Sequence, residues 1–277
     1  MRIDSHQHFW QIARHGHEWP TPDLAPIYRD FGVHDWVQES SASMITGTVA
    51  VQSQPCDADT EWLLQMASQH VVIKGVVGWT DLAATHAASH LATLARHPEF
   101  KGVRPMLQSL PDDHWILRDS VQPALTALVE LGLCFDALIY TRHLPAIMQL
   151  AKRHPALSIV IDHAAKPPIA QRNAVATRQW RDDIARVAEA PNVHCKLSGL
   201  FTEMSTDQSR DEAIPYAEHV LNVFGVERVM WGSDWPVLKL RDGYAQWHAW
   251  VMDRIAHLGV SQQAMIMGGN AQRFYKL

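Results

Sequence analysis

Cysteine is scarce in this chain: Cys56, Cys134 and Cys195 are the only three among 277 residues, widely spaced and without a C-x-x-C pair. That argues against a disulfide framework or a cysteine-ligated zinc site, and leaves the thiols as small apolar packing residues of a reducing compartment. A basic surplus is missing as well. Lys and Arg number 24 against 29 Asp and Glu, a formal charge of -5 with the charges scattered, whereas a nucleic-acid partner requires a basic face. No apolar stretch approaches the length of a membrane span, and the chain enters "MRIDSHQHFW" without a basic and then apolar leader. A soluble cytoplasmic protein with neither nucleic acid nor membrane as partner is the expectation. No low-complexity segment or interdomain linker interrupts the chain, and no G-x-G-x-x-G follows the first strand candidate.

What is present is alternation. Hydrophobic residues make up 47% of the chain, enough for a large core, although length alone allows one large domain or two ordinary ones. Eight short apolar runs read as strands: "RIDSHQH" (2–8), "TGTVAVQS" (46–53), "VIKGVVGW" (72–79), "KGVRPML" (101–107), "LCFDALI" (133–139), "LSIVIDH" (157–163), "VHCKLSG" (193–199) and "RVMWGSD" (228–234). Helical candidates lie between them, the clearest being 56–70, 81–98, 120–132, 141–155 and 214–225. Asp57 or Asp59 and Asp81 stand as start signals, Gly132 and Gly225 as stops, and Pro98 and Pro155 as closures. Eight βα repeats with near-continuous apolar strands point to a single α/β domain over residues 1–277, a (β/α)8 barrel, with an open doubly wound sheet as the alternative. Residues 14–32, rich in Pro and polar groups, read as a long loop after the first strand and a candidate lid.

A barrel places its chemistry at the C-terminal ends of its strands. There the sequence puts His6 and His8, Arg104, Asp136 and Tyr140, His163, Lys196 and Ser198, and Asp234. His6 and His8 are two apart, so on a strand both imidazoles share a face. With His163 and Asp234 they make a candidate set for one divalent metal, zinc foremost. Two other pairs compete with the first. His15 and His17 fall in the loop, and His86 and His90 lie four apart on a helix whose polar face simply meets water.

The runs "DSHQHFW", "KGVRPML", "IDHAAKP", "CKLSGL", "MWGSDWPV" and "GGNAQRFYKL" resemble, in order and across the whole chain, the signatures of the amidohydrolase superfamily in its lactone-hydrolase branch. Within that branch the sequence is most similar to sugar lactonases of the L-fuconolactonase and L-rhamnonolactonase kind, with 2-pyrone-4,6-dicarboxylate lactonase a more distant relative. The resemblance implies a distorted TIM-like barrel and hydrolysis of a cyclic ester, a small sugar lactone, to its hydroxy acid. It carries site roles onto His6, His8, His163 and Asp234. Where binuclear members have a carboxylated lysine or a glutamate on strand four, this chain has Arg104, so a bridged metal pair is not expected. Members of the branch that work without metal leave occupancy of the single site open.

On this reading Asp234 takes a proton from water while the three histidines, with or without zinc, polarise the carbonyl. Arg104 holds a polar or anionic substrate group or is tied to a barrel carboxylate. Asp136, Tyr140, Arg142 and His143 are candidates for reading hydroxyls, and Trp10, Trp79, Trp231 and Trp235 for stacking on a sugar ring. Asp162 and Lys166 orient His163 or form a structural pair. Two rival functions remain at this stage: a decarboxylase on a similar barrel, and a non-catalytic metal- or sugar-binding barrel.

Overall fold

Each of the eight apolar runs becomes a strand. They are β1 (Ile3–Gln7), β2 (Gly47–Val51), β3 (Ile73–Gly78), β4 (Phe100–Val103), β5 (Cys134–Ala137), β6 (Ile159–Ile161), β7 (Val193–Leu197) and β8 (Val229–Trp231). The computed structural model describes residues 1–277, and the strands pair in parallel in the order β1 to β8. At the seam the barrel closes through a single bridge, Gln7 beside Trp235. His8 N donates to Trp235 O at 2.7 Å and Asp234 N to His6 O at 2.8 Å. Parallel strands need crossovers. These are α1 (Val33–Ser41), α2 (Asp57–Gln69), α3 (Ala87–Leu94), α4 (Gln122–Leu131), α5 (Leu144–Arg153), α6 (Ala174–Ala188), α7 (Ile214–Phe224) and α8 (Tyr244–Arg254), followed by α9 (Val260–Ala264) and α10 (Asn270–Tyr275). No helix is long and apolar enough to cross a membrane.

The sequence-based boundaries shift where side chains take other work. The 81–98 candidate shortens to α3, because Asp81 accepts from Ala83 N at 3.0 Å in a turn ahead of it. Asp59 falls inside α2, with Cys56 at the N-cap position, and its carboxylate instead accepts from Ser53 N at 2.9 Å and Gln54 N at 3.3 Å. Gly132 ends α4 in the left-handed conformation expected of a C-terminal glycine. Residues 14–32 are loop, tied back near both ends by hydrogen bonds between Trp10 and Phe31.

Two apolar layers result. The large one fills the space between sheet and helices. A smaller cluster, including Ile3, Val49, Val51, Val77, Cys134, Val160 and Met230, fills the base of the barrel and is plugged by Phe274 and Tyr275 of α10. Above it the inward positions turn polar, and there the site begins.

Candidate active site

A register shift between Asp4 and Gln7 breaks the simple alternation of β1. Asp4 can therefore reach the helix layer, while His6 and His8 both face the barrel mouth. His6 Nε2 lies 3.1 Å from His8 Nε2. Asp234 Oδ1 lies 3.4 Å from His8 Nε2, 3.7 Å from His6 Nε2 and 3.8 Å from His163 Nε2. All four residues are buried. The backbone that presents two of them is unusual: His163, Ala164, Ala165 and Lys166 have φ of 50° to 59°, and Asp234 has φ of 57°. Left-handed backbone at non-glycine residues costs roughly 1–3 kcal/mol each and gathers at functional sites. Neighbouring glycines make room. A Cβ on Gly199 would lie 2.6 Å from the His163 ring, and one on Gly232 would lie 2.8 Å from His6 Cβ.

The protonation states follow from burial. Desolvation lowers all three histidines, His163 to about 4 and His6 well below its ordinary value, the latter with Lys196 adding to the effect. Neutral imidazoles offer lone pairs. Burial works against the charge of Asp234, yet the surrounding histidine rings hold its carboxyl below the usual range, so it is an anion. Ligating atoms of His6, His163 and Asp234 lie within 4.8 Å of one another, with His8 alongside. A buried carboxylate among neutral imidazoles is a donor set suited to one divalent cation.

Beneath this floor lies a second tier that the sequence reading did not assemble. Lys196 has no solvent exposure and reaches Asp136 Oδ2 at 2.5 Å, Asp162 Oδ1 at 3.0 Å and His6 Nδ1 at 3.0 Å. Burial opposes the charge of Asp162, but Lys196 and His6 hold its carboxyl well down. Asp162 therefore serves His6, 3.3 Å away, and the partner of His163 Nδ1 is Ser198 Oγ at 2.9 Å. The expectation that Asp136 reads hydroxyls is corrected: it is buried against Lys196 and Tyr275. Asp4, unnoticed in the sequence, accepts from Ser233 N (2.9 Å), Ser233 Oγ (2.6 Å) and Tyr244 Oη (2.9 Å) across the seam.

Above the floor is a cavity of about 400 Å³ lined by His8, His163, Asp234, Arg104, Glu18, Trp19, Ser53, Gln54, Gln108 and Lys166, among others. Arg104 lines this cavity and is also tied to a barrel carboxylate. Its Nη2 donates to Gln52 O at 2.5 Å, its Nη1 lies 3.6 Å from Asp162, and its buried Nε has no partner. The tryptophan expectation fails in its particulars. Trp10 and Trp235 are fully buried with Phe31, at centroid distances of 5.5 and 5.2 Å, because the strand end folds back on the loop. Trp231 is equally buried, and Trp79 sits beside Thr60, off the cavity wall. The indole that lines the cavity is Trp19, packed edge-on against Trp10. Tyr140 and Arg142 line a neighbouring hollow that shares only Lys166 with this one, and His143 turns back to bond the Tyr140 backbone at 3.1 Å.

The loop that carries Trp19 is clamped. Gln54 Oε1 accepts from Glu18 N at 2.8 Å and Gln54 Nε2 donates to Trp19 O at 2.7 Å, while Asp59 holds Gln54 in turn. Burial pushes the Asp59 carboxyl up to about 6, against the pull of the Ser53 and Gln54 N–H groups. A carboxyl raised in the folded state binds its proton preferentially there. Its contribution is fully present below the unfolded pKa of about 4 and is lost as pH rises through the folded value. By urea unfolding, the stability of wild type minus that of Asp59→Asn is expected to fall by up to about 3 kcal/mol between about pH 4 and about pH 7. A difference independent of pH would mean that Asp59 is ionised throughout.

Comparison with known proteins agrees with this geometry. The amidohydrolase family (Amidohydro_2) matches residues 3–277. The chain is 46% identical to an L-fucono-1,5-lactonase of Burkholderia ambifaria, covering 100% of this chain and 96% of that one. It is 32% identical to an L-fucono-1,5-lactonase of Burkholderia multivorans, again over 100% and 96%. A crystal structure of a Burkholderia multivorans amidohydrolase with bound zinc superposes with a TM-score of 0.93 at 31% identity, covering 100% of this chain and 99% of that one.

Proposed function

This chain belongs to the amidohydrolase family, and from that premise we propose that it hydrolyses a sugar-acid lactone of the L-fucono-1,5-lactone type to the open hydroxy acid. The observation that carries the reading is Asp234: a buried carboxylate held ionised among three neutral imidazoles at the floor of a polar cavity. The charged residues on the wall, Glu18 and Asp234 against Arg104 and Lys166, balance in sign, which suits an uncharged ring better than a dicarboxylate. The buried Gln108 Oε1 has no partner and is free to accept from a sugar hydroxyl.

In the reaction Asp234 takes a proton from water as its oxygen bonds to the lactone carbonyl carbon. The oxyanion that forms is stabilised by the Arg104 guanidinium and by the imidazole edge presented by the floor. Collapse breaks the ring C–O bond, and Asp234 returns the proton to the departing ring oxygen. The product is the hydroxy acid. His163, anchored on Ser198, keeps Asp234 charged and in place. A divalent ion, with zinc suggested by the Burkholderia multivorans structure, would be held by His6, His163 and Asp234 with His8 beside them. When bound it supplies Lewis acidity at the carbonyl.

The test is an acid-release assay across an aldonolactone panel, run on chelator-treated and on zinc-supplemented protein. Opening of L-fucono-1,5-lactone or a close stereoisomer is expected. Silence on every lactone together with carbon dioxide release from hydroxybenzoates would replace this reading with the decarboxylase.

A further inference from the structure

We propose that Glu203 is a positioning residue for product release: it draws the Lys166 ammonium out of the catalytic cavity, so that the acid made there is not held. The inference rests on the lactonase reading above. Hydrolysis takes in a neutral ring and water, and it leaves a carboxylate and a proton. A cation free on the cavity wall would meet that carboxylate in a charge-assisted hydrogen bond and retain the product. Two cations stand there, Arg104 and Lys166. Arg104 is engaged with Gln52 O and Asp162, neither of which lines the cavity.

Lys166 borders both the cavity and the neighbouring hollow, and its partners belong to the hollow. Its Nζ lies 3.8 Å from Glu203 Oε1 and 5.5 Å from the centre of the Tyr140 ring. The lysine and glutamate side chains are only 19% and 22% exposed, so water screens their attraction less than on the open surface. Both ends of the pair are anchored. The Lys166 N–H donates to His163 O at 2.9 Å, which leaves the choice between cavity and hollow to the side chain. Glu203 ends a short turn, Phe201–Glu203, whose Phe201 packs edge-on against Trp247 and Trp250. The anions Glu18 and Asp234 remain on the cavity wall, where they repel a carboxylate. The departing acid therefore meets two cations already engaged and two anions facing it.

The experiment titrates chelator-treated full-length protein with L-fuconate, the acid of the proposed substrate, and with acetate, an anion that needs no sugar recognition. Burial raises the Glu203 carboxyl, so the titrations are made at about pH 8, where the pair is ionised. Glu203→Gln keeps the shape and removes the charge. It should bind both anions about tenfold more tightly than wild type, the scale of one charge-assisted hydrogen bond. Product inhibition should strengthen in step, with KM for the neutral lactone moving less than about twofold. Glu203→Asp, which keeps the charge, should stay within about threefold of wild type, and adding Lys166→Met to Glu203→Gln should abolish the gain. Equal anion affinities in wild type and folded Glu203→Gln overturn the proposal, as does a gain that survives in the double variant. Lys166→Met alone decides the matter if Glu203→Gln does not fold: its affinity for L-fuconate should match wild type, and a loss of more than about threefold would mean that Lys166 already holds the acid. Failure of the lactonase reading shows separately, as absence of turnover on every lactone, and leaves the acetate comparison intact.

Discussion

Asp234→Asn is expected to lower kcat by about 10³-fold or more, near the upper end of what a general base contributes. The substitution is chosen because it isolates the charge. Asp234 sits at φ 57°, and asparagine tolerates the left-handed region as well as aspartate does, so no new backbone strain enters. The Asp234 N–H bond to His6 O belongs to the backbone and survives. What disappears is the anion that is proposed to accept the water proton and that the histidines hold ionised. Circular dichroism and urea unfolding should match wild type while turnover collapses. Turnover within about tenfold of wild type would remove the base assignment, since a positioned base is worth at least about 10².

Asp4→Ala should produce the largest loss of stability, about 4 kcal/mol, or a fall in Tm of about 10 °C. Asp4 is fully buried and accepts from Ser233 N and Oγ, Tyr244 Oη, Trp36 Nε1 and His6 N, drawing on α1, α8 and both seam strands. Alanine would strand those donors away from water, and each orphaned donor costs roughly 1–3 kcal/mol. Part of that is offset, because burial itself disfavours the Asp4 charge and raises its pKa, with the hydrogen bonds pulling the other way. Asp4→Asn keeps an acceptor without the charge and should lose less than half as much. The folded fraction of Asp4→Ala should also turn over slowly, since the same seam aligns His6, His8 and Asp234. A loss below about 1 kcal/mol would mean that the strand hydrogen bonds hold the seam unaided.

These two carboxylates mark what the sequence revealed and what it concealed. All eight strands were legible, because a buried parallel strand writes itself as a short apolar run, and the convergence of His6, His8, His163 and Asp234 was legible because they lie at the ends of three of those runs. Asp4 was hidden: it stands on the same strand as the histidines, and only the register shift in β1 turns it toward the helices. Lys196 read as a strand-end residue, but its partners lie 190 positions away at His6 and 60 at Asp136, a proximity that no local pattern encodes. The cavity-lining aromatic was misassigned for a related reason. Trp10 and Trp235 lie next to site residues in the chain, yet their rings turn into the packing beneath the loop, and Trp19, in a stretch without periodicity, reaches the cavity.

The seam between β8 and β1 also sets a timetable. His6 is synthesised well before Asp234, and the two are joined by a backbone bond that needs both strands in place. During synthesis, which adds residues over many seconds, the imidazoles exist without their acid. A chain not yet extended through β8 lacks the complete set of His6, His8, His163 and Asp234, so an ion that needs all of those donors is held by the closed barrel rather than by the growing one.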